Sequence, residues 1–90
     1  MKEVLEQIIL YMYAFIQETD RQKKEVLGKH VSNLCSTNFK MIAEENIEVA
    51  KLILPLIALG YFKVDDKRYD PHPNELINVI EELKVYIGNN

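Results

Sequence analysis

The feature that most constrains this chain is a helical segment near its start with apolar side chains on every face. Residues 8–16 form a run of nine without a charge, and Val4, Leu5 and Met12 follow helical spacing. A helix of this kind must be covered on all sides, and a chain of 90 residues has little material to wrap one helix completely. We therefore predict that residues 3–18 form either a central helix or a helix shared with a second subunit.

This apolar run is not expected to act as a membrane or targeting segment. A helix needs about 20 apolar residues to cross a bilayer, and the run is much shorter. Only Lys2 precedes it, beside Glu3 and Glu6, and no small-residue cleavage site follows, unlike in a signal peptide. The single cysteine, Cys35, agrees with a reducing compartment. We predict a cytoplasmic protein without membrane contact.

A second helix is predicted over residues 21–35. Thr19 and Gln22 match a capping box, in which a hydroxyl and an amide satisfy the first backbone donors of a helix. Gly28 lies on the far side of this helix from its apolar stripe and weakens it by about 1 kcal/mol relative to alanine. The stripe comprises Val26, Leu27, His30, Val31, Leu34 and Cys35.

Two more helical segments follow. The turn formers at residues 36–38 separate the second helix from a short one over residues 38–45. Asn46 either ends that helix or caps the next, which covers residues 47–59. Pro55 interrupts this segment, so the helix either bends before it or a new turn begins there.

After Gly60 the spacing changes from helical to alternating, which predicts a small β-hairpin over residues 61–70 that turns at Asp65 and Asp66. Asn74 is predicted to cap a last helix over residues 75–87. The chain has no internal repeat or linker. The predicted fold is a single domain over residues 1–90, mainly α, a compact helical domain with a small hairpin.

The order of these elements resembles a winged helix-turn-helix domain over residues 38–70. The resemblance lies in residues 39–45, with the sequence FKMIAEE, in the following helix, and in residues 56–61, with the sequence LIALGY. It implies that residues 61–70 form the wing and that the chain is a DNA-binding regulator. Two features depart from the pattern: Pro55 lies inside the recognition helix, and Glu44, Glu45 and Glu48 surround its start.

The charge distribution disfavours nucleic acid as a partner. The chain has 11 basic and 14 acidic residues, and neither half has a basic excess. Binding to a phosphate backbone depends on positive charge. We therefore predict a small non-enzymatic regulatory module that acts through protein–protein contacts and forms a homodimer. The alternative is a winged-helix DNA-binding transcriptional regulator.

The sequence contains no pattern that predicts catalysis, a cofactor or a metal site. His30 and Cys35 are five residues apart, and no third group orients the histidine as a nucleophile pair requires. Asp65, Asp66 and Asp70 do not follow the spacing of a calcium loop. We predict that the protein is not an enzyme, and that Cys35 is an inert core thiol.

Two sets of contact residues are predicted. The first is a dimer interface on the first and last helices, because their apolar surface exceeds what one small domain covers. The second is a set of aromatic and basic residues that contact a partner protein or nucleic acid. The interface set is Ile9, Leu10, Tyr13, Ile80, Leu83 and Ile87, and the partner set is Lys51, Tyr61, Lys63, Lys67, Arg68 and Tyr69.

Overall fold

The computed structural model describes residues 1–63 and 72–88, which fold into helices packed around one core. In chain order these are α1 (Lys2–Gln17), α2 (Arg21–Glu45), α3 (Ile47–Ile53), a 3₁₀ helix (Leu54–Tyr61) and α4 (Pro73–Gly88). The long helix α2 packs against α1, α3 and the 3₁₀ helix, and α4 packs against α1 and α3. None of the described helices is long and apolar enough to cross a membrane.

The predicted fold class, with its winged-helix-like hairpin, is wrong. The described part of the chain contains helices and no strand element. Tyr61, which was expected to begin the first strand, is the last residue of the 3₁₀ helix. The apolar segment stays helical through Tyr61, and the backbone becomes extended at Phe62. The predicted turn at Asp65 and Asp66 and the rest of the hairpin lie outside the described residues.

Helix α1 buries most of its apolar residues against its own chain, among them Leu5, Ile8, Met12 and Phe15. Its neighbours α2 and α4 cover this side of the helix. The opposite side, with Glu3, Glu6 and the 67% exposed Leu10, faces solvent. The predicted alternative, a helix shared with a second subunit, stays a prediction.

Helix α2 differs from the prediction at its start and along its length. Asp20, not Thr19, caps it: the Asp20 Oδ1 atom accepts hydrogen bonds from the backbone N–H groups of Gln22 and Lys23, at 2.9 and 3.2 Å. The predicted break near residues 36–38 is absent, so the short helix over residues 38–45 is the end of α2. Asn38 remains helical because its amide donates to the Leu34 carbonyl at 2.9 Å instead of forming a turn.

The buried face of α2 is also rotated from the predicted stripe. Val31, Cys35 and Ile42 are buried, whereas Val26 and His30 are exposed. Gly28, predicted on the far side, is buried against the 3₁₀ helix. Hydrophobic periodicity identifies the helix face that carries the most apolar side chains. In α2, however, the closest approach to the 3₁₀ helix requires a residue without a side chain, Gly28.

The segment after Asn46 confirms one prediction and settles another. The Asn46 side chain caps α3 by accepting from the backbone N–H groups of Glu48 and Val49, at 3.0 and 3.3 Å. Of the two outcomes predicted at Pro55, the structure shows a new helical segment, which begins at Leu54. Proline suits an early position in this segment because its missing N–H has no partner to lose there. Helix α4 begins at Pro73, so Asn74 lies inside the helix and does not cap it.

Candidate functional site

An open groove lies between α3 and α4 and is lined by apolar and acidic side chains. Leu52 and Val85 form the floor, and Glu48, Glu81 and Glu82 form the rim. The groove has a volume of about 410 Å³ and is open to solvent. Val85 is 62% exposed, although it lies on a helix whose other face is part of the core. We call this surface the α3–α4 groove.

The walls of the groove are held in place by the core. On α3, Val49, Ala50 and Ile53 are buried, which directs Glu48 and Leu52 toward the groove. On α4, Ile80 and Leu83 are fully buried, so the adjacent positions 81, 82 and 85 face outward. The groove is therefore a preformed feature of the folded chain.

The charges around the groove are only partly compensated. Lys51 pairs with Glu48 at 3.5 Å across one turn of α3, and both side chains are exposed. No cation of residues 1–63 and 72–88 forms an ion pair with Glu81 or Glu82. Exposed pairs such as that of Lys51 contribute about 0–1 kcal/mol. The groove thus keeps an acidic rim.

Lys84 lies next to the rim but is held by α1. Its Nζ atom donates a hydrogen bond to the Tyr13 hydroxyl at 2.6 Å and lies 4.9 Å from the centroid of the same ring. This hydrogen bond raises the pKa of Lys84, and the carboxylate of Glu81 acts in the same direction. The contact joins α4 to α1 and fixes the ammonium of Lys84 at Tyr13, where its positive charge still interacts with Glu81.

The predicted dimer-interface residues fall into three groups. Ile9, Ile80 and Leu83 are buried in the core of a single chain. Tyr13 and Ile87 are half-buried and pack against that core. Leu10 alone of the six is widely exposed, in a shallow depression lined also by Glu3, Glu6 and Gln7.

The predicted partner-contact residues do not form one cluster in the described part of the chain. Lys51 is on α3, and Tyr61, at the end of the 3₁₀ helix, is 74% exposed. Lys63 pairs with Glu25 of α2 at 3.7 Å. The other three predicted residues, Lys67, Arg68 and Tyr69, lie outside the described residues.

The two side chains considered for catalysis lie in different environments: Cys35 is buried and His30 is exposed. Burial raises the pKa of the Cys35 thiol to about 12, so the thiolate is absent at neutral pH. His30 is exposed and stacks on the ring of Tyr11, with centroids 5.3 Å apart. Within residues 1–63 and 72–88, no three His, Cys, Asp or Glu side chains come together in a way that could hold a metal ion.

The α3–α4 groove was not predicted from the sequence. One signal for it was present: Val85 does not belong to the inward-facing stripe of α4, so it is an apolar residue left on the outer surface. Leu52 gave no comparable signal, because it lies in an almost continuous apolar stretch. Only the packing of α3 against α4 brings these two residues to the same groove.

Comparisons of this chain with protein-family models, with curated proteins and with solved structures find no match. They leave the resemblance of residues 38–70 to winged-helix domains untested. Any statement about function therefore depends on the residues and the geometry described above.

Proposed function

We propose that this chain is a small non-enzymatic regulatory module that acts by binding another protein in the α3–α4 groove. The observation that carries the proposal is the apolar floor, formed by the half-buried Leu52 and the exposed Val85, beside an acidic rim. Apolar surface that is concave and edged by polar groups is typical of protein-binding sites. The groove exists before binding, so a partner would not have to reorganise the helices.

Self-association is a second part of this proposal. Leu10 is the predicted interface residue that a second copy could contact without any change in the fold. Its surroundings, Glu3, Glu6 and Gln7, are polar, so a homodimer formed here would have a small apolar centre. We place this interface on α1, apart from the residues that line the α3–α4 groove.

Protein binding is favoured over DNA binding because carboxylates lie beside the basic residues that were predicted to contact phosphate. Lys51 lies beside Glu48 and Lys63 beside Glu25, so a phosphate at either lysine would also meet a carboxylate. Non-specific DNA binding is largely electrostatic. An electrophoretic shift with random duplex DNA at low salt tests the alternative, and tight binding that is lost on replacing Lys63, Lys67 and Arg68 by alanine would favour it.

Site-specific crosslinking in the source cells tests the protein-binding proposal. The photoreactive residue p-benzoylphenylalanine is incorporated in place of Val85 and, as a control, in place of the exposed Ser36 of α2. We expect a discrete protein adduct at position 85 that is absent at position 36. The adduct partner, once purified, should bind the wild-type chain at least tenfold more tightly than Val85→Asp. Equal adducts at the two positions, or no adduct at position 85, would contradict the proposal. Cell fractionation in the same experiment tests the cytoplasmic location.

A further inference from the structure

We infer that the occupant of the α3–α4 groove is an amphipathic helix of the partner protein with Lys or Arg on both sides of its apolar face. This inference rests on the proposed function and adds the chemical class of the partner. It follows from three properties of the groove: its charge, its shape and its poor fit to a second copy of itself.

The first property is the charge of the rim. The two walls carry Glu48 on α3 and Glu81 and Glu82 on α4. Lys51 pairs with Glu48 at the exposed surface, and Lys84, whose ammonium donates to Tyr13, also interacts with Glu81. Three carboxylates therefore stand against two cations, and the rim keeps a net negative charge. A ligand in the groove therefore meets carboxylates on both sides. Cations on both flanks of the ligand would complement them and speed the encounter.

The second property is the shape of the floor. Two packed helices form the walls, and the described part of the chain has no strand edge to which an extended peptide could add a strand. A groove between two helices accepts a third helix whose side chains fit between theirs. Ile77 lies two turns before Val85 on the same row of α4 and is 39% exposed, and Glu81 stands between them on that row. The row therefore presents apolar, acidic and apolar side chains in turn, which a helix with both apolar and basic side chains along its contact face would match.

The third property concerns symmetry. A homodimer formed through this groove would place the same carboxylates of the two copies against each other. Like charges in contact at an interface oppose binding. Nucleic acid and anionic lipid surfaces are disfavoured for the same reason. A basic helix is the ligand that satisfies both the apolar floor and the rim.

Binding of a designed peptide tests this inference. The probe is a fluorescently labelled 18-residue helix with leucine on one face and lysine on both flanks, and the comparison peptide has glutamate in place of every lysine. We expect the lysine peptide to bind the full chain and the glutamate peptide to bind at least tenfold more weakly. Raising the salt from 50 to 500 mM should weaken the lysine peptide severalfold, because salt screens exposed charges.

Variants locate the binding site. The double change Glu81→Lys with Glu82→Lys should lower the affinity for the lysine peptide at least tenfold and allow the glutamate peptide to bind. The matched control, Glu44→Lys with Glu45→Lys, makes the same change in net charge at the exposed end of α2 and should alter the affinity less than twofold. Val85→Asp should weaken the lysine peptide without reversing the charge preference. Circular dichroism shows whether each variant keeps its helices.

The possible outcomes separate this inference from the proposed function. If the lysine peptide does not bind, or if both double variants lose it equally, the inference is wrong. In that case an adduct at position 85 in cells would still support protein binding by a different class of ligand. If light scattering shows a dimer that Glu81→Lys with Glu82→Lys dissociates, a second copy occupies the groove and the inference is also wrong.

Discussion

Gly28 of α2 lies so close to Leu59 of the 3₁₀ helix that a Cβ atom on Gly28 would be 2.6 Å from the Leu59 carbonyl oxygen. The same Cβ would be 3.2 Å from the ring of Phe15. One turn further along α2, the Ser32 hydroxyl donates to the Ile57 carbonyl at 2.8 Å, and Gly60 lies against Ser32. Small residues thus set the distance between these two helices and, through them, the position of α3.

Replacing Gly28 by alanine should destabilise the protein by about 1–3 kcal/mol, because the new methyl group pushes the 3₁₀ helix away. This loss should exceed the gain of about 1 kcal/mol in helix propensity. Urea denaturation followed by circular dichroism measures the difference. Gly88→Ala is the matched control, since a Cβ there meets nothing within 4 Å. A Gly28→Ala protein as stable as the wild type would contradict the contact.

Asp20→Ala should destabilise α2 by about 1 kcal/mol, because the backbone N–H groups of Gln22 and Lys23 lose their acceptor. Thr19→Ala is the control, and it should change the free energy of unfolding by less than about 0.5 kcal/mol. Thermal and urea denaturation of both variants provide the measurement. A larger loss from Thr19→Ala than from Asp20→Ala would restore the capping box as the start of the helix.

Cys35 should be unreactive in the folded protein. With its pKa raised to about 12, roughly one thiol in ten thousand is ionised at pH 8. An aromatic disulfide reagent should therefore react with Cys35 many times more slowly in buffer than in concentrated urea. Equal rates under the two conditions would show that the thiol is accessible and would contradict its burial.

The pH dependence of stability reports on the same thiol. Because folding raises the pKa of Cys35 from 9.0 to about 12, the folded chain holds its proton where the unfolded chain releases it. This contribution is fully present below pH 9 and is lost as the pH rises toward 12. The stability advantage of the wild type over Cys35→Ala should therefore shrink from pH 8 to pH 10. If the stability advantage of the wild type instead grows over this range, the pKa of Cys35 is not raised by folding.

Tyr13→Phe should lower the pKa of Lys84, because the phenylalanine ring keeps the packing but removes the hydroxyl that accepts its hydrogen bond. The side-chain resonances of Lys84, followed by NMR between pH 9 and pH 12, measure the change. Lys40, an exposed lysine of α2, serves as the internal reference. An unchanged Lys84 titration would show that the hydrogen bond is not formed in solution.

Leu10→Asp should convert the proposed homodimer to a monomer without unfolding it, since Leu10 is mostly exposed. Light scattering at micromolar concentration measures the mass, and circular dichroism confirms the helices. Ile80→Asp is the contrasting variant: Ile80 is fully buried in one chain, so this change should unfold the protein whatever its oligomeric state. A wild-type chain that is monomeric at high concentration would contradict the homodimer.

Local interactions in this chain could be predicted from sequence. The first and last helices were predicted, and at Asn46 and Pro55 the sequence predicted an interruption without deciding its form; each of these features depends on residues a few positions apart. The hairpin prediction failed at Tyr61 because a pattern of four residues is too short to fix where it begins: Tyr61 still belongs to the 3₁₀ helix, and the backbone becomes extended at Phe62. The break near residue 36 failed because Ser, Thr and Asn remain helical when their side chains face solvent or bond back to the preceding turn.

The sequence by itself determined that most apolar side chains of residues 8–16 must be buried, since a helix of apolar side chains is stable in water only when most of its apolar surface is covered. Only the tertiary structure decided what covers it: α2 and α4 of the same chain, with Leu10 left outside. The same packing decided that Leu52 and Val85, 33 positions apart, share a groove with Glu48, Glu81 and Glu82. Such contacts depend on the close approach at Gly28 and on helix orientation, which residue spacing along one helix does not encode.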